Sequence, residues 1–274
     1  MTTLLETAKA VAVKAAIEAG RIAKNAFQQD FHVYEKGDHG DVVTEVDIRA
    51  ERAIVNTIRR HFPDHVIHSE EMGTSDGQSE WIWQIDPLDG TNNFVIGLPL
   101  YGVSITLCRH ERPVLGVIVD SHQERVYIAE RDRGAVCGSQ PLRVRKRVDD
   151  PKQMTVGWIQ GYHVGQEAGA VRLRQMLENR VKRTLRLWAP TLVWAMLARS
   201  DLDAVFVYDS EGEDLNAGLL LSREAGAAVV EFSGREWDGM PGQRCVLACH
   251  PEHADLFLSW LKEVEEENTD AFGR

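Results

Sequence analysis

The nine residues Asp86-Pro87-Leu88-Asp89-Gly90-Thr91-Asn92-Asn93-Phe94 constrain this chain more than any other stretch. Pro87 fixes its own φ and Gly90 tolerates backbone angles closed to other residues, so the shape of the segment is largely set locally. It carries two carboxylates, Asp86 and Asp89, three positions apart. Acids converging on such a turn make a hard, anionic oxygen site suited to Mg²⁺. If Gly90-Thr91-Asn92 opens a helix, its first N–H groups point at a phosphate. An acidic metal site beside a helix start is the equipment of metal-assisted phosphoester hydrolysis.

A chain of 274 residues can bury a large core, as one unit or two intimate lobes. The net charge of −11 argues against a broad nucleic-acid or anionic-membrane surface. It leaves a phosphorylated substrate open, because a divalent ion inverts the local field. Cys108, Cys137, Cys245 and Cys249 form no Cys-x-x-Cys pair, which speaks against zinc and for a reducing compartment. Leu4, Ala8, Val11, Ala15, Ala19, Ile22 and Ala26 recur at helical spacing among Lys and Glu, the pattern of an amphipathic helix rather than a signal peptide. No stretch reaches 18 apolar residues, so a cytoplasmic protein is expected.

Patterning predicts a helix over 2–27, a mobile polar loop at Glu35–Asp41 and a second helix from Asp47 to about Phe62. Short strands follow at Val66–His68 and Glu80–Ile85, then a β-rich run with strands at 104–108, 114–120, 125–130, 134–138 and 142–144. A boundary at Asp149-Asp150-Pro151 divides an N-terminal α+β lobe, 1–148, from a C-terminal α/β lobe, 149–274. The second lobe reads as strands at 154–159, 204–208, 227–232 and 245–249 and helices at 165–179, 190–198, 214–225 and 252–266, with a fraying polar end. The histidines are scattered, and His61, His65 and His68 read as surface or strand residues.

Four acidic groups fall at junctions between a strand or loop and a helix: Asp41 with Asp47, Glu70 with Glu71, Asp86 with Asp89, and Asp214. Together with their surroundings they carry a resemblance. Asp41-Val-Val-Thr-Glu-Val-Asp47, Ser69-Glu70-Glu71, the nonapeptide, Asp203-Ala204, Asp214 with Ala217-Gly218, and Glu224-Ala225-Gly226 occur in the order and spacing of the inositol monophosphatase family. The chain resembles that family from about residue 5 to residue 260.

The resemblance implies a layered αβαβα sandwich of the α+β class, related to fructose-1,6-bisphosphatase, in a homodimer. It implies a Mg²⁺-dependent, Li⁺-sensitive phosphomonoesterase with two to three ions per site. Glu70, Asp86 and the Leu88 carbonyl would hold one ion; Asp86, Asp89 and Asp214 would hold another. Asp47 and Thr91 would orient the attacking water, with Glu70 also counted as catalytic. Gly90 and Thr91 amides would grip the phosphate, and Lys36 would close over the site.

The substrate-facing positions depart from the pattern. Where inositol-binding relatives carry Gly-Ser/Thr-Ala, this chain has Trp188-Ala189-Pro190, and where they place a Glu for ring hydroxyls it has Val207. Glu213 stands where a Trp is common. A lost hydroxyl partner redirects substrate choice, so a small polyol or sugar phosphate other than inositol 1-phosphate is expected. Trp188 is a substrate wall or a core tryptophan, and Gly161-Tyr162-His163 could add contacts. A 3′-phosphoadenosine 5′-phosphate nucleotidase, a fructose-1,6-bisphosphatase-like enzyme and a histidinol-phosphate phosphatase are the alternatives within the class; a catalytically silent regulatory dimer is the alternative outside it.

Overall fold

The computed structural model describes residues 2–36, 41–161, 164–210, 212, 215–237, 239 and 245–271. Its N-terminal helix α1 (Thr2–Ala26) buries Ala8, Ala12, Ala15, Ala16, Ala19 and Ala23 completely. Small residues on that stripe let α1 lie close against its neighbours. A hairpin of β1 (Val33–Lys36) and β2 (Asp41–Thr44) then leads into α2 (Glu45–His61). Glu35, Lys36 and Asp41 therefore lie in strands rather than in the expected loop, of which Gly37 to Gly40 are outside the described residues. An exposed two-stranded ribbon has no buried face, so its side chains show no alternation to betray it. Helix α2 starts two residues earlier than its pattern predicted, because Thr44 and Asp47 cap its first turn reciprocally.

The first large sheet contains β3 (Val66–Ser69), β4 (Gly73–Thr74), β5 (Trp81–Asp89), β6 (Gly102–Arg109), β7 (Arg112–Asp120), β8 (Arg125–Glu130), β9 (Gly134–Cys137) and β10 (Gln140–Pro141), with the short helix α3 (Thr91–Val95) after β5. The spatial order is β10-β9-β8-β7-β6-β5-β3-β4, antiparallel apart from the β3–β5 pair. The strand expected at 142–144 is absent; Leu142 and Val144 instead donate their N–H groups to Ala135 and Ala225 carbonyls. Val103, Ile105 and Leu107 of β6 alternate with the buried Ser104 and Thr106, and the apolar set packs under α1 and α2.

The second sheet contains β11 (Thr155–Gln160), β12 (Arg183–Leu185), β13 (Ala204–Tyr208), β14 (Ala228–Glu231) and β15 (Val246–Cys249), in the order β12-β11-β13-β15-β14. The three-residue edge strand β12 was not foreseen; polar Arg183 and Thr184 give it no strand signature. Helices α4 (Ala168–Arg180) and α7 (Ala254–Ala271) cover one face, and α5 (Pro190–Ala198) and α6 (Leu215–Glu224) the other. Period-two alternation along β13 sends Ala204 and Phe206 to the first face and Val205 and Val207 to the second. Helix α7 continues through Ala271, beyond the expected stop at Glu266.

α5 and α6 also pack on the first sheet, where Ala195, Ala198, Ala217 and Leu220 meet Ile118, Tyr127 and Ala129. The layers thus run helices, sheet, helices, sheet, helices, an αβαβα sandwich. Gly218 permits the close approach within the middle layer, since a Cβ there would fall 1.9 Å from Trp194 Cδ1. Among the described residues no helix is long and apolar enough to cross a membrane.

Candidate metal and phosphate site

Asp86 and Asp89 both lie in β5, where residues three apart would ordinarily face opposite sides. The pairing of β5 with β6 shifts register between Asp86 and Asp89, and this irregularity lets both line one cavity. Asp86 Oδ1 accepts the Leu88 N–H at 3.0 Å, closing an Asx turn across Pro87. Gly90 then turns the chain at φ 88°; a Cβ there would stand 2.8 Å from the Leu100 carbonyl oxygen and 3.1 Å from Ala189 Cβ. Only glycine fits that turn. The cavity, about 180 Å³, is lined by Asp41, Glu70, Asp86, Leu88, Asp89, Gly90, Thr91 and Asn92 together with Trp158, Gln160, Arg186 and Trp188.

Asp47 reaches this site from the first turn of α2. Its Oδ2 accepts the Thr44 N–H at 2.8 Å, and its Oδ1 lies 2.8 Å from Thr91 Oγ1. The Thr91 hydroxyl is equally close to the Leu88 carbonyl oxygen, so its single proton serves one of two acceptors at a time. Burial raises Asp47 to about 6, against the downward pull of its bonds to Thr44 and Thr91. Burial likewise raises Asp89 to about 7, against two bonds from Thr191.

Lys36 Nζ lies 2.8 Å from both Glu70 Oε1 and Glu71 Oε1. Its burial disfavours the charge, but Glu70 and Glu71 outweigh that and raise its pKa. The trio is unequal, because burial and the Glu70 charge raise Glu71 to about 7 despite the Lys36 bond. Beneath it lies a residue that sequence reasoning passed over. Glu51, buried in α2, accepts the Ser69 hydroxyl through Oε1, together with the Glu71 and Met72 N–H groups at 3.0 Å each. One carboxylate oxygen thereby fixes the turn that presents Glu70. The available signal was its place beside Ile54, Val55 and Ile58 on the apolar side of α2.

Not every sequence-designated residue meets the cavity. Val207 is fully buried in the cluster against α5 and α6 and does not line it. The alternation of β13 sends it into the core. Ala189 is fully buried behind Gly90. Trp188, by contrast, is 44% exposed at the rim with φ 54°, so the core-tryptophan alternative is overturned. His65 lies just before β3 and is partly buried, and its Nδ1 accepts the Trp83 indole N–H at 3.0 Å. Asp214, Tyr162 and His163 lie outside the described residues.

Glu70, Asp86, Asp89 and the Leu88 carbonyl offer oxygen atoms alone, the donor set of a hard divalent cation. Among the described residues no cation faces Asp89, and an ammonium already answers Glu70. The residues fit Mg²⁺ in kind. Among the described residues no three acidic, histidine or cysteine side chains are grouped as a complete cage.

The sequence pattern of the inositol monophosphatase family matches residues 4–266. Inositol monophosphatase 2 of Rattus norvegicus is 33% identical over 266 residues, covering 93% of this chain and 89% of that protein. Nus factor SuhB of Escherichia coli is 32% identical over 268 residues, covering 96% and 98% respectively. Among solved structures, the extragenic suppressor protein SuhB of Bartonella henselae superposes with a TM-score of 0.86 at 27% identity, over 93% of this chain and 98% of that one. An IMPase of Thermotoga maritima gives 0.82 at 28% identity, over 97% and 99%. This chain belongs to the inositol monophosphatase family.

Proposed function

We propose that the chain is a Mg²⁺-dependent phosphomonoesterase acting on a small polyol or sugar phosphate. One observation carries this reading: the β5 irregularity sets Asp86 and Asp89 in the same cavity as Glu70 and the Gly90–Thr91 turn, with Thr91 bonded to Asp47. Glu70, Asp86, Asp89, Asp214 and the Leu88 carbonyl would hold two to three ions. When bound, such ions supply a water ionised near neutral pH and neutralise charge on the departing oxygen. Asp47 and Thr91 orient the attacking water, and the Gly90 and Thr91 amides hold phosphate oxygens. Lys36 leaves Glu70 when the site fills.

The four cysteines are unpaired thiols, in keeping with a reducing cytoplasmic setting. A homodimer is the commonest assembly for such a chain. The test is phosphate release from inositol 1-phosphate, fructose 1,6-bisphosphate, histidinol phosphate, 3′-phosphoadenosine 5′-phosphate and 2-glycerophosphate, each with Mg²⁺, with EDTA, and with Mg²⁺ plus Li⁺. Mg²⁺-dependent, Li⁺-inhibited release supports the proposal; release that persists in EDTA defeats it. Relatives named Nus factor SuhB favour a second, regulatory reading. Asp86→Asn separates the two, because an enzyme loses turnover by orders of magnitude while a regulator keeps its partner.

A further inference from the structure

The cavity carries both signs of charge. Its lining includes the carboxylates Asp41, Glu70, Asp86 and Asp89 and also Arg186, whose Cζ lies 4.5 Å from the centre of the Trp188 ring. Among the described residues Arg186 has no hydrogen bond and no carboxylate partner. The charged group that acts on it is Arg174, which, after burial, pushes its pKa down. Arg174 is itself spoken for: it donates to Gln160 Oε1 at 2.7 Å and to the Gly165 carbonyl at 3.0 Å. Two guanidinium groups thus repel each other beside the cavity, and among the described residues no carboxylate offsets the charge of Arg186.

Its partner on the rim is held against preference. Trp188 adopts φ 54°, the left-handed region that a bulky side chain rarely enters. Such strain persists where the surroundings enforce it, and it concentrates at ligand clamps. Stacking on the indole covers one face of the guanidinium and leaves its N–H edge to fork an anion. The same stack takes one face of the indole. The position where inositol-binding relatives place a glutamate is Val207, turned into the core, so no carboxylate there reads a ring hydroxyl.

We infer that Arg186, braced by Trp188, is a second-anion subsite, and that the substrate is a phosphomonoester bearing a further anionic group, such as a second phosphate. The inference rests on the phosphatase reading only for the identity of the first group; binding of the second anion is independent of turnover. With the hydrolysed phosphate at the acidic cluster, the second anion lies on Arg186 within the same cavity. Charge-assisted bonds of this kind are worth roughly a 10- to 100-fold gain in affinity.

The test pairs fructose 1,6-bisphosphate with fructose 6-phosphate on the full chain in Mg²⁺. Affinity is read from tryptophan fluorescence in the Asp86→Asn background, and kcat/KM from phosphate release in the parent. The bisphosphate is expected to bind about 10-fold or more tightly than the monophosphate. Arg186→Ala should bring that ratio to near 1, with Arg186→Lys intermediate, and the loss should appear in KM rather than kcat. Equal affinity for the two esters in the parent, or a ratio unchanged by Arg186→Ala, overturns the subsite. Tighter bisphosphate binding that needs Arg186, but with no phosphate release, supports the subsite and defeats the phosphatase reading alone. Adenosine 5′-monophosphate binding as tightly as the bisphosphate would assign the rim to a base and overturn the anion inference.

Discussion

Asp89 caps a helix far from it in sequence: its Oδ2 accepts the Thr191 backbone N–H at 2.8 Å, and the Thr191 hydroxyl donates to the same oxygen. The residue at the start of α5, Ala189, has no side chain to do this. Asp89 therefore serves the proposed metal site and the middle helix layer at once. Thr191→Val keeps the shape and the backbone donor but removes the hydroxyl. Urea denaturation should show a loss of about 1–2 kcal/mol. A loss under about 0.5 kcal/mol would show that the backbone bond alone holds Asp89.

Glu51 should govern Glu70 without touching substrate. Glu51→Ala orphans the Ser69 hydroxyl and two backbone N–H groups, and is expected to lower stability by about 2–4 kcal/mol. Glu51→Gln retains an acceptor oxygen and should recover most of the stability and most of the Mg²⁺ affinity. Equal damage from both variants would mean that the charge, not the turn, matters.

Lys36 is paired with Glu70, so at the proposed metal site its ammonium would compete with a divalent ion. Removing the ammonium in Lys36→Met leaves the acids more negative. The Mg²⁺ concentration giving half of the rise in melting temperature should fall about 10-fold at low salt and by less at high salt. A midpoint that rises instead would show that Lys36 assists ion binding.

Gly90→Ala places a methyl against the Leu100 carbonyl and the Ala189 side chain at a positive φ. A stability loss of about 1–3 kcal/mol is expected, with phosphate release falling further than folding. Unaltered kinetics in a stable Gly90→Ala protein would remove this turn from the proposed site.

Acid should weaken the fold through its histidines. Burial lowers His65 from 6.5, with Asp64 opposing, and lowers His253 from 6.5, with His250 and Lys146 adding. At these two histidines the unfolded chain holds more protons than the folded one as pH falls below about 6.5, so their contribution to stability is complete above that window and is lost on acidification. The protonated Nδ1 of His65 could not accept the Trp83 N–H. The raised acids Asp47, Asp89 and Glu71 act in the opposite direction, so the readout is a difference at saturating Mg²⁺. Between pH 7.5 and 5 the melting temperature of His65→Gln should fall less steeply than that of the parent; identical slopes would clear His65 of any part.

The alternation of Ala204 to Tyr208 and the helical recurrence along α1 were legible because each follows the period of one element with one buried face. The nonapeptide was legible because its proline, glycine and acids act within one segment. The β1–β2 hairpin was not, since neither of its faces is buried throughout and no pattern marks it. The sequence pattern places the start of α2 at Asp47, two residues late, because Asp47 closes the cap with Thr44 instead of opening the helix, while its bond to Thr91 is a tertiary fact. Glu51 carries no signature of its own in the sequence, because its role depends on the Ser69 turn folding onto it. Val207 sits at a substrate position in the family pattern, yet which side of β13 faces the cavity is decided by packing.

α5 shows its flank to both sheets and its first turn to Asp89. Chemistry here is hostage to completion: a nascent chain released at Asp149 would own most of its acids yet leave Ile118, Tyr127 and Ala129 bare to solvent, sticky and inert. Completion of α5 and α6 therefore covers the first sheet and ties down Asp89 in a single step.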